Sequence, residues 1–411
     1  MKIGFLCVFL HPEMKKIVLV ILTLIALPSN SIAQLVPLVS KESNVLSLDI
    51  NRIYDYNQYE KSRWGLGLQY DIALGGERFS TLSLSGYGAY GYEDQRFKWG
   101  LMAGLQSKLN HKSLFYVEFF HDLTPEASRY LNTYQLLNFT STGSYMTRLF
   151  SDTYRLTFGF SRQATAKRTD GFELRLSRER PLHYGTSLIY PSSYSDLKNI
   201  HHTDFIEGRL FVSHTSGLRG ELLAGTHGKF SHFYQNMQPF LRLLLQYDKE
   251  IIFSTFKLDF FAQGGFANND APYSRLFDLG GTWGSPIALQ RSLLTARPNE
   301  FVANLFTLIN LKLTTQEPLF RFNSEFLAIG TAPSPFLLCN AAWGKLRDGV
   351  ESYVPDKGIA EVGAGVDGLL VWGAVKWGGA VVYRLTPSSA AYHYSDTKDN
   401  LVFLFTAQLD I

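Results

Sequence analysis

Cysteine is nearly absent: Cys7 and Cys339 are the only two in 411 residues. Cys7 lies in a segment read below as removed on export, which leaves the mature chain one thiol and no internal disulfide. Long apolar runs are also missing. The mean hydropathy is -0.05, and beyond residue 33 no stretch approaches the about 20 consecutive apolar residues of a membrane helix, which excludes a helical transporter. Charge is scarce as well, with Asp, Glu, Lys and Arg at 18% against about 25% in ordinary soluble domains. The charges nearly cancel, to a formal +3, and form no basic block, so nucleic acid is not an implied partner. What is abundant is 31 Phe, 22 Tyr and 34 Gly, an odd pairing for a water-soluble core.

The N-terminus carries an export pattern. Met14-Lys15-Lys16 is followed by the apolar run Ile17 to Pro28 and by Ser31-Ile32-Ala33 before Gln34: a positive start, a short apolar core and a small-x-small cleavage site. Residues 1–33 are therefore read as a signal peptide, with Met1 and Met14 as alternative starts. An uncleaved anchor is the alternative, disfavoured because the apolar core is shorter than a membrane helix.

The remaining chain alternates. Trp64, Leu66, Leu68, Tyr70, Ile72 and Leu74 stand on one parity, with Gly65, Gly67, Gln69, Asp71 and Ala73 on the other. The same period of two recurs in Tyr154, Leu156, Phe158 and Phe160, in Phe172, Leu174 and Leu176, in Leu241, Leu243, Leu245 and Tyr247, in Phe256, Leu258 and Phe260, and from Leu401 to Ile411. A β-sandwich or propeller also alternates, but these segments run to about ten residues, the length of a tilted membrane strand rather than of a soluble one. Their polar parity mixes Gly with Arg, Glu and Asp, as suits a wet interior opposite a lipid-facing surface.

Strands are expected at about 45–53, 63–74, 78–91, 97–108, 114–121, 153–163, 171–179, 204–214, 218–228, 238–248, 253–264, 299–313, 319–331, 359–372, 374–385 and 400–410, about sixteen in all, an even number as bacterial barrels require. Tight joints such as Leu74-Gly75-Gly76-Glu77 and Thr215-Ser216-Gly217 interleave with long ones such as Ala267 to Pro298. Tyr184 to Tyr190 is a possible further strand. The fold class is thus all-β, a transmembrane antiparallel barrel, with residues 34–411 as one domain. Too little chain precedes the first strand for a periplasmic domain, since domains rarely fall below about 50 residues.

Phe277-Asp278-Leu279-Gly280-Gly281-Thr282 resembles the F-x-x-G-G-x stretch of the outer-membrane insertase superfamily, which comprises BamA-like surface antigens and two-partner-secretion transporters. In those proteins it opens an outer loop that folds back into a sixteen-stranded barrel. The chain is more closely similar to a Bacteroidetes outer-membrane barrel family of unknown function, often fused behind a carboxypeptidase-regulatory-like domain. That likeness lies in Asn51-Arg52-Ile53 before Trp64-Gly65-Leu66-Gly67, in Gly86-Tyr87-Gly88-Ala89-Tyr90-Gly91, and in Ala296-Arg297-Pro298-Asn299-Glu300-Phe301. The resemblance implies outer-membrane localisation, a loop inside the lumen, a role in membrane biogenesis or in protein or lipid translocation, contact with outer-membrane lipid, and a separate periplasmic or lipoprotein partner. The chain departs from the insertases at Trp283-Gly284-Ser285-Pro286-Ile287, where they carry Arg-Gly-aromatic. Arg291 or Arg297 is the expected substitute, and Glu325, with Arg321 and Asn323 on its parity, the expected lumen partner.

No catalytic set emerges. His121-Asp122, His201-His202 with Asp204, and Ser213-His214 sit at strand ends and read as polar residues at an interface. Adjacent histidines on a strand point to opposite faces, which disfavours a metal pair. The glycine runs lack the strand-to-helix context of a phosphate loop. Opposite charges two apart (Glu173 with Arg175, Glu207 with Arg209, Arg219 with Glu221, Lys257 with Asp259) suggest a structured interior rather than a one-sign selectivity ring. The expectation is a non-enzymatic barrel without cofactor or metal; the alternatives are a small-solute channel and a rim enzyme acting on lipids.

Overall fold

The computed structural model describes residues 35–41, 44–49, 52–57, 59–76, 78–108, 113–125, 150–182, 202–230, 237–280, 291–296, 301–324, 329–346, 358–372, 375–386 and 400–409. These form β1 (Leu35–Lys41), β2 (Asn44–Asp49), β3 (Tyr54–Asn57), β4 (Lys61–Ala73), β5 (Phe79–Gly91), β6 (Phe97–Ser107), β7 (Leu114–Pro125), β8 (Phe150–Thr165), β9 (Arg168–Pro181), β10 (Thr203–His214), β11 (Leu218–Gly228), β12 (Gln238–Ile252) and β13 (Phe256–Ala267). They continue with β14 (Phe277–Asp278), β15 (Val302–Ala303), β16 (Leu305–Thr315), β17 (Phe322–Ser324), β18 (Ile329–Thr331), β19 (Ser334–Lys345), β20 (Ile359–Trp372), β21 (Val375–Arg384) and β22 (Leu401–Leu409).

All but β14 and β15 belong to one sheet. It is an up-and-down antiparallel meander in which each long strand pairs with the next, β13 with β16 and β16 with β19. Most of these strands have 10 to 16 residues, the length that a tilted membrane strand requires. Among the described residues no ladder joins β1 to β22. Tight turns close one end, as at Thr215 to Gly217, where Gly217 has φ +95° and a side chain would overlap the Asp248 backbone. The strand ends that flank the long connections lie at the other end.

The alternation read from the sequence sorts the side chains as expected. On β8 and β9, Tyr154, Phe158, Phe172 and Leu174 are exposed, while Thr157, Glu173, Ser177 and Glu179 are buried. The outer face is an apolar band with aromatic pairs at its ends, such as Tyr54 on Trp64 at 4.8 Å and Phe115 on Phe160 at 4.7 Å. The inner face carries a buried charged network beside an apolar core. That core brings Phe205, Phe240, Leu244 and Phe261 of the wall onto Leu276, Phe277, Leu279, Leu293, Phe301 and Val302 of the segment between β13 and β16. This outer connection therefore folds into the interior, as expected.

Three details differ from the sequence reading. The strand expected at 319–331 is replaced by the short hairpin of β17 and β18, and the wall strand is β19, where the sequence pattern predicts a connection. On β19 both parities are apolar: Phe336, Leu338 and Ala342 are buried inside, and Leu337 and Trp343 are exposed outside. It lacks the polar parity that marks other strands because its inner side faces an apolar cluster with Ala380, Val382 and Leu294. Second, Leu35–Lys41 pairs with β2 as a hairpin rather than remaining a connector. Third, Leu244, on the parity shared with Arg242 and Gln246, is fully buried beneath the inward loop. Tyr184 to Tyr190 and residues 1–34 lie outside the described residues.

Candidate functional site

The inward segment is fixed to both sides of the interior. Its first anchor is Arg275, in the 3-10 turn Tyr273–Arg275. Its Nη1 and Nη2 donate to Glu179 of β9 at 3.0 and 2.7 Å, and its Nε donates to Glu207 of β10 at 2.5 Å. The guanidinium also lies 4.2 Å over the Phe205 ring. Burial alone would lower the pKa of Arg275; the carboxylates of Glu179 and Glu207 outweigh that and hold it well above its ordinary value.

From there β14 pairs with β15 and turns the segment back on itself. The Leu279 amide donates to Phe301 at 2.8 Å and the Leu293 amide to Leu279 at 3.1 Å. Phe277 is fully buried, its ring 4.8 Å from Phe306 of β16 and 4.5 Å beneath the Arg242 guanidinium of β12. Gly265 of β13 leaves room for this stack, since a Cβ there would lie 2.5 Å from the Phe306 ring and 2.8 Å from that of Phe277.

The second anchor is Glu361 of β20, fully buried. It accepts the backbone amides of Leu294 and Thr295, each at 2.8 Å, as well as the Thr295 hydroxyl and the Asn340 amide at 3.1 Å. Arg384 of β21 completes the clasp by donating to the Thr295 hydroxyl at 2.9 Å and to its carbonyl at 2.7 Å. The charged carboxylate thus takes up two loop amides that would otherwise be stranded away from water. A third contact joins Arg291 to Asp248 of β12.

Behind the first anchor runs a ladder of ion pairs across β9 to β12. Glu173 accepts from Arg175 at 2.7 Å, from Arg209 at 2.9 Å and from the Tyr116 hydroxyl at 2.6 Å. Glu221 accepts from Arg209 at 2.6 Å and from Arg242. Of the pairings expected two apart along one strand, Glu173 with Arg175 and Lys257 with Asp259 form, whereas Glu207 turns to Arg275, Glu221 to Arg209 and Arg242, and Arg209 also to Glu173, which stands directly opposite it. Directly opposed residues are about 5 Å apart, close enough for Arg209 to reach Glu173 across the strands, while Arg175, opposed by Glu207, keeps Glu173 of its own strand and leaves Glu207 to the inward segment.

Of the residues picked out from the sequence, Phe277 and Gly280 belong to the inward segment, where the Gly280 amide donates to Asp278 at 2.9 Å. Arg291 takes Asp248 as its partner, and Arg321 stands exposed before β17. Gly281, Arg297 and Glu325 lie outside the described residues. Arg275, Glu179, Glu361, Thr295 and Arg384 were missed, and Glu207, picked out with Arg209, takes Arg275 instead. The signal that could have found three of them was charge on the inner parity near the loop end of a strand: Glu179, Glu361 and Arg384. Elsewhere, His121 is 2.7 Å from Asp152 and stacked 4.0 Å from Tyr154 at the loop end of the outer face.

No family model matches the chain. No curated protein matches it either. Similar solved structures include BamA from Haemophilus ducreyi lacking POTRA domains 1-3, at 10% identity over 95% of this chain and 77% of that one, with a TM-score of 0.49. Another is CdiB from Acinetobacter baumannii, at 9% identity over 89% of this chain, with a TM-score of 0.43; the present chain spans 59% of its length. A third is the outer membrane channel DcaP of Acinetobacter baumannii, at 12% identity over 91% of this chain and 99% of that one, with a TM-score of 0.40.

Proposed function

We propose that this chain is a non-enzymatic outer-membrane β-barrel of the insertase-like superfamily, acting in the biogenesis of the membrane or the translocation of a protein or lipid client, with a separate periplasmic or lipoprotein partner. The observation that carries the reading is the double clasp of the inward segment, Arg275 on Glu179 and Glu207 at one side and Thr295 between Glu361 and Arg384 at the other. A segment held by buried charge at both sides of the interior occupies the path that a simple pore keeps open. It suits a barrel whose interior is structured, and whose wall or loop yields only when a client or partner engages. The outer apolar band, on strands long enough to cross a bilayer, supports membrane insertion.

The test is conductance in planar bilayers. The intact protein is expected to give little steady current, and deletion of residues 279–294 is expected to open a stable pore. Equal steady conductance before and after the deletion would overturn the reading in favour of a small-solute channel. Cross-linking in intact cells, followed by purification, is expected to recover a periplasmic or lipid-anchored protein with the barrel.

A further inference from the structure

The outward surface of the β8–β9 hairpin carries two sets of cations separated by an apolar interval. At the tight-turn end are Arg162, Lys167 and Arg168. At the loop end are Arg178 and Arg180. Between them the outer parity is Tyr154, Leu156, Phe158 and Phe160 on β8, and Phe172, Leu174 and Leu176 on β9. Arg168 and Arg178 are ten positions apart; at about 3.3 Å per residue and a tilt of about 40° the interval is about 25 Å high. That height is the apolar band of a barrel wall, so both sets fall at the level of lipid phosphates.

The two sets differ in their balance of charge. At the loop end two carboxylates serve the cations: Arg178 is neutralised by Asp204, to which it donates at 2.7 and 3.3 Å, and Asp152, opposite Arg180 in the ladder, accepts from Arg96 at 3.0 Å and lies 2.7 Å from His121. At the turn end three cations share one carboxylate among the described residues. Asp170 takes the Nε of Arg162 at 3.0 Å and faces the Nε of Arg168 at 3.6 Å. Both guanidiniums are about half exposed, at 51% and 53%. Each engages Asp170 through Nε, which leaves the Nη donors of both for a second acceptor. Lys167, in the turn itself, is exposed beside them.

We propose that Arg162, Lys167 and Arg168 form a binding site for the phosphate of an anionic phospholipid in the leaflet on the tight-turn side, with Asp170 holding the two guanidiniums side by side. The acyl chains lie along Phe160, Phe172 and Leu174, and the phosphate bridges the two arginines. The site rests on the reading of the chain as a membrane barrel, and its test is built to separate the two.

The experiment uses the full-length protein purified free of lipid in neutral detergent and titrated with phosphatidylglycerol or phosphatidylcholine in mixed micelles, with bound lipid counted by native mass spectrometry. The wild type is expected to prefer phosphatidylglycerol. Arg162→Gln with Arg168→Gln is expected to weaken that binding about 25-fold, at about fivefold for each cation removed. Lys167→Gln alone costs about fivefold and serves if the double variant does not fold. Asp170→Asn is expected to tighten binding, which loss of a merely structural contact would not do, and Arg178→Gln with Arg180→Gln to leave the turn-side site unchanged. Equal affinity of wild type and double variant, or displacement of phosphatidylglycerol by excess inorganic phosphate, overturns the site. Loss of heat-modifiable migration by the wild type overturns the barrel itself.

Discussion

The anchors of the inward segment are single residues whose removal strands a partner. Arg275 satisfies two carboxylates at once, and Arg275→Ala leaves Glu179 with Arg155 and the hydroxyl of Ser177, and Glu207 without the guanidinium. Breaking a buried charge network in this way costs about 3–5 kcal/mol. The expected result is an earlier urea midpoint for loss of the compact electrophoretic form. Arg162→Ala, whose ion pair with Asp170 is exposed, should cost at most about 1 kcal/mol. An equal shift for the two variants would refute the Arg275 anchor. Residue identity was partly legible beforehand: Phe277 and Gly280 stand out as a motif. Arg275 does not, because nothing near it in the chain distinguishes it from other loop arginines, and its partner Glu179 is 96 residues away.

At the scale of the element, period-two alternation located most wall strands and misplaced one. It succeeded on β4 and β9, where one parity meets lipid and the other a polar interior. It failed on β19, where both sides of the strand are apolar and no contrast remains to be read. The outcome fixes a testable side for Cys339. It is exposed on the outer parity between Leu337 and Trp343, with Leu338 and Asn340 facing inward. In membranes the thiol should resist a charged, membrane-impermeant maleimide and react with a lipophilic one, while Asn340→Cys should do neither until the inward segment is removed. Rapid reaction of Cys339 with the charged reagent would show that β19 is turned the other way.

At the scale of the whole molecule, the near-zero hydropathy becomes intelligible as an average over two opposite surfaces. The apolar residues lie on an outer band and on the inner patch under the loop, and the charges buried on the inner face pair with one another. A sheet of this kind is expected to resist extraction by alkaline carbonate and to migrate faster before boiling than after. A protein that is washed from membranes and migrates identically in both states would refute the barrel.

The sequence by itself determined which face each alternating strand presents, because side-chain parity is a local consequence of backbone geometry. It also marked the tight turns and the long connections, through glycine and polar clusters. Only the tertiary structure decided which charges meet. Parity says that Glu361 faces inward, yet its partners, Leu294 and Thr295, lie 67 and 66 residues before it, on a segment with no period of its own. Their encounter depends on how the sheet curves and how the loop packs beneath it, and those are sums over many strands that no local pattern encodes.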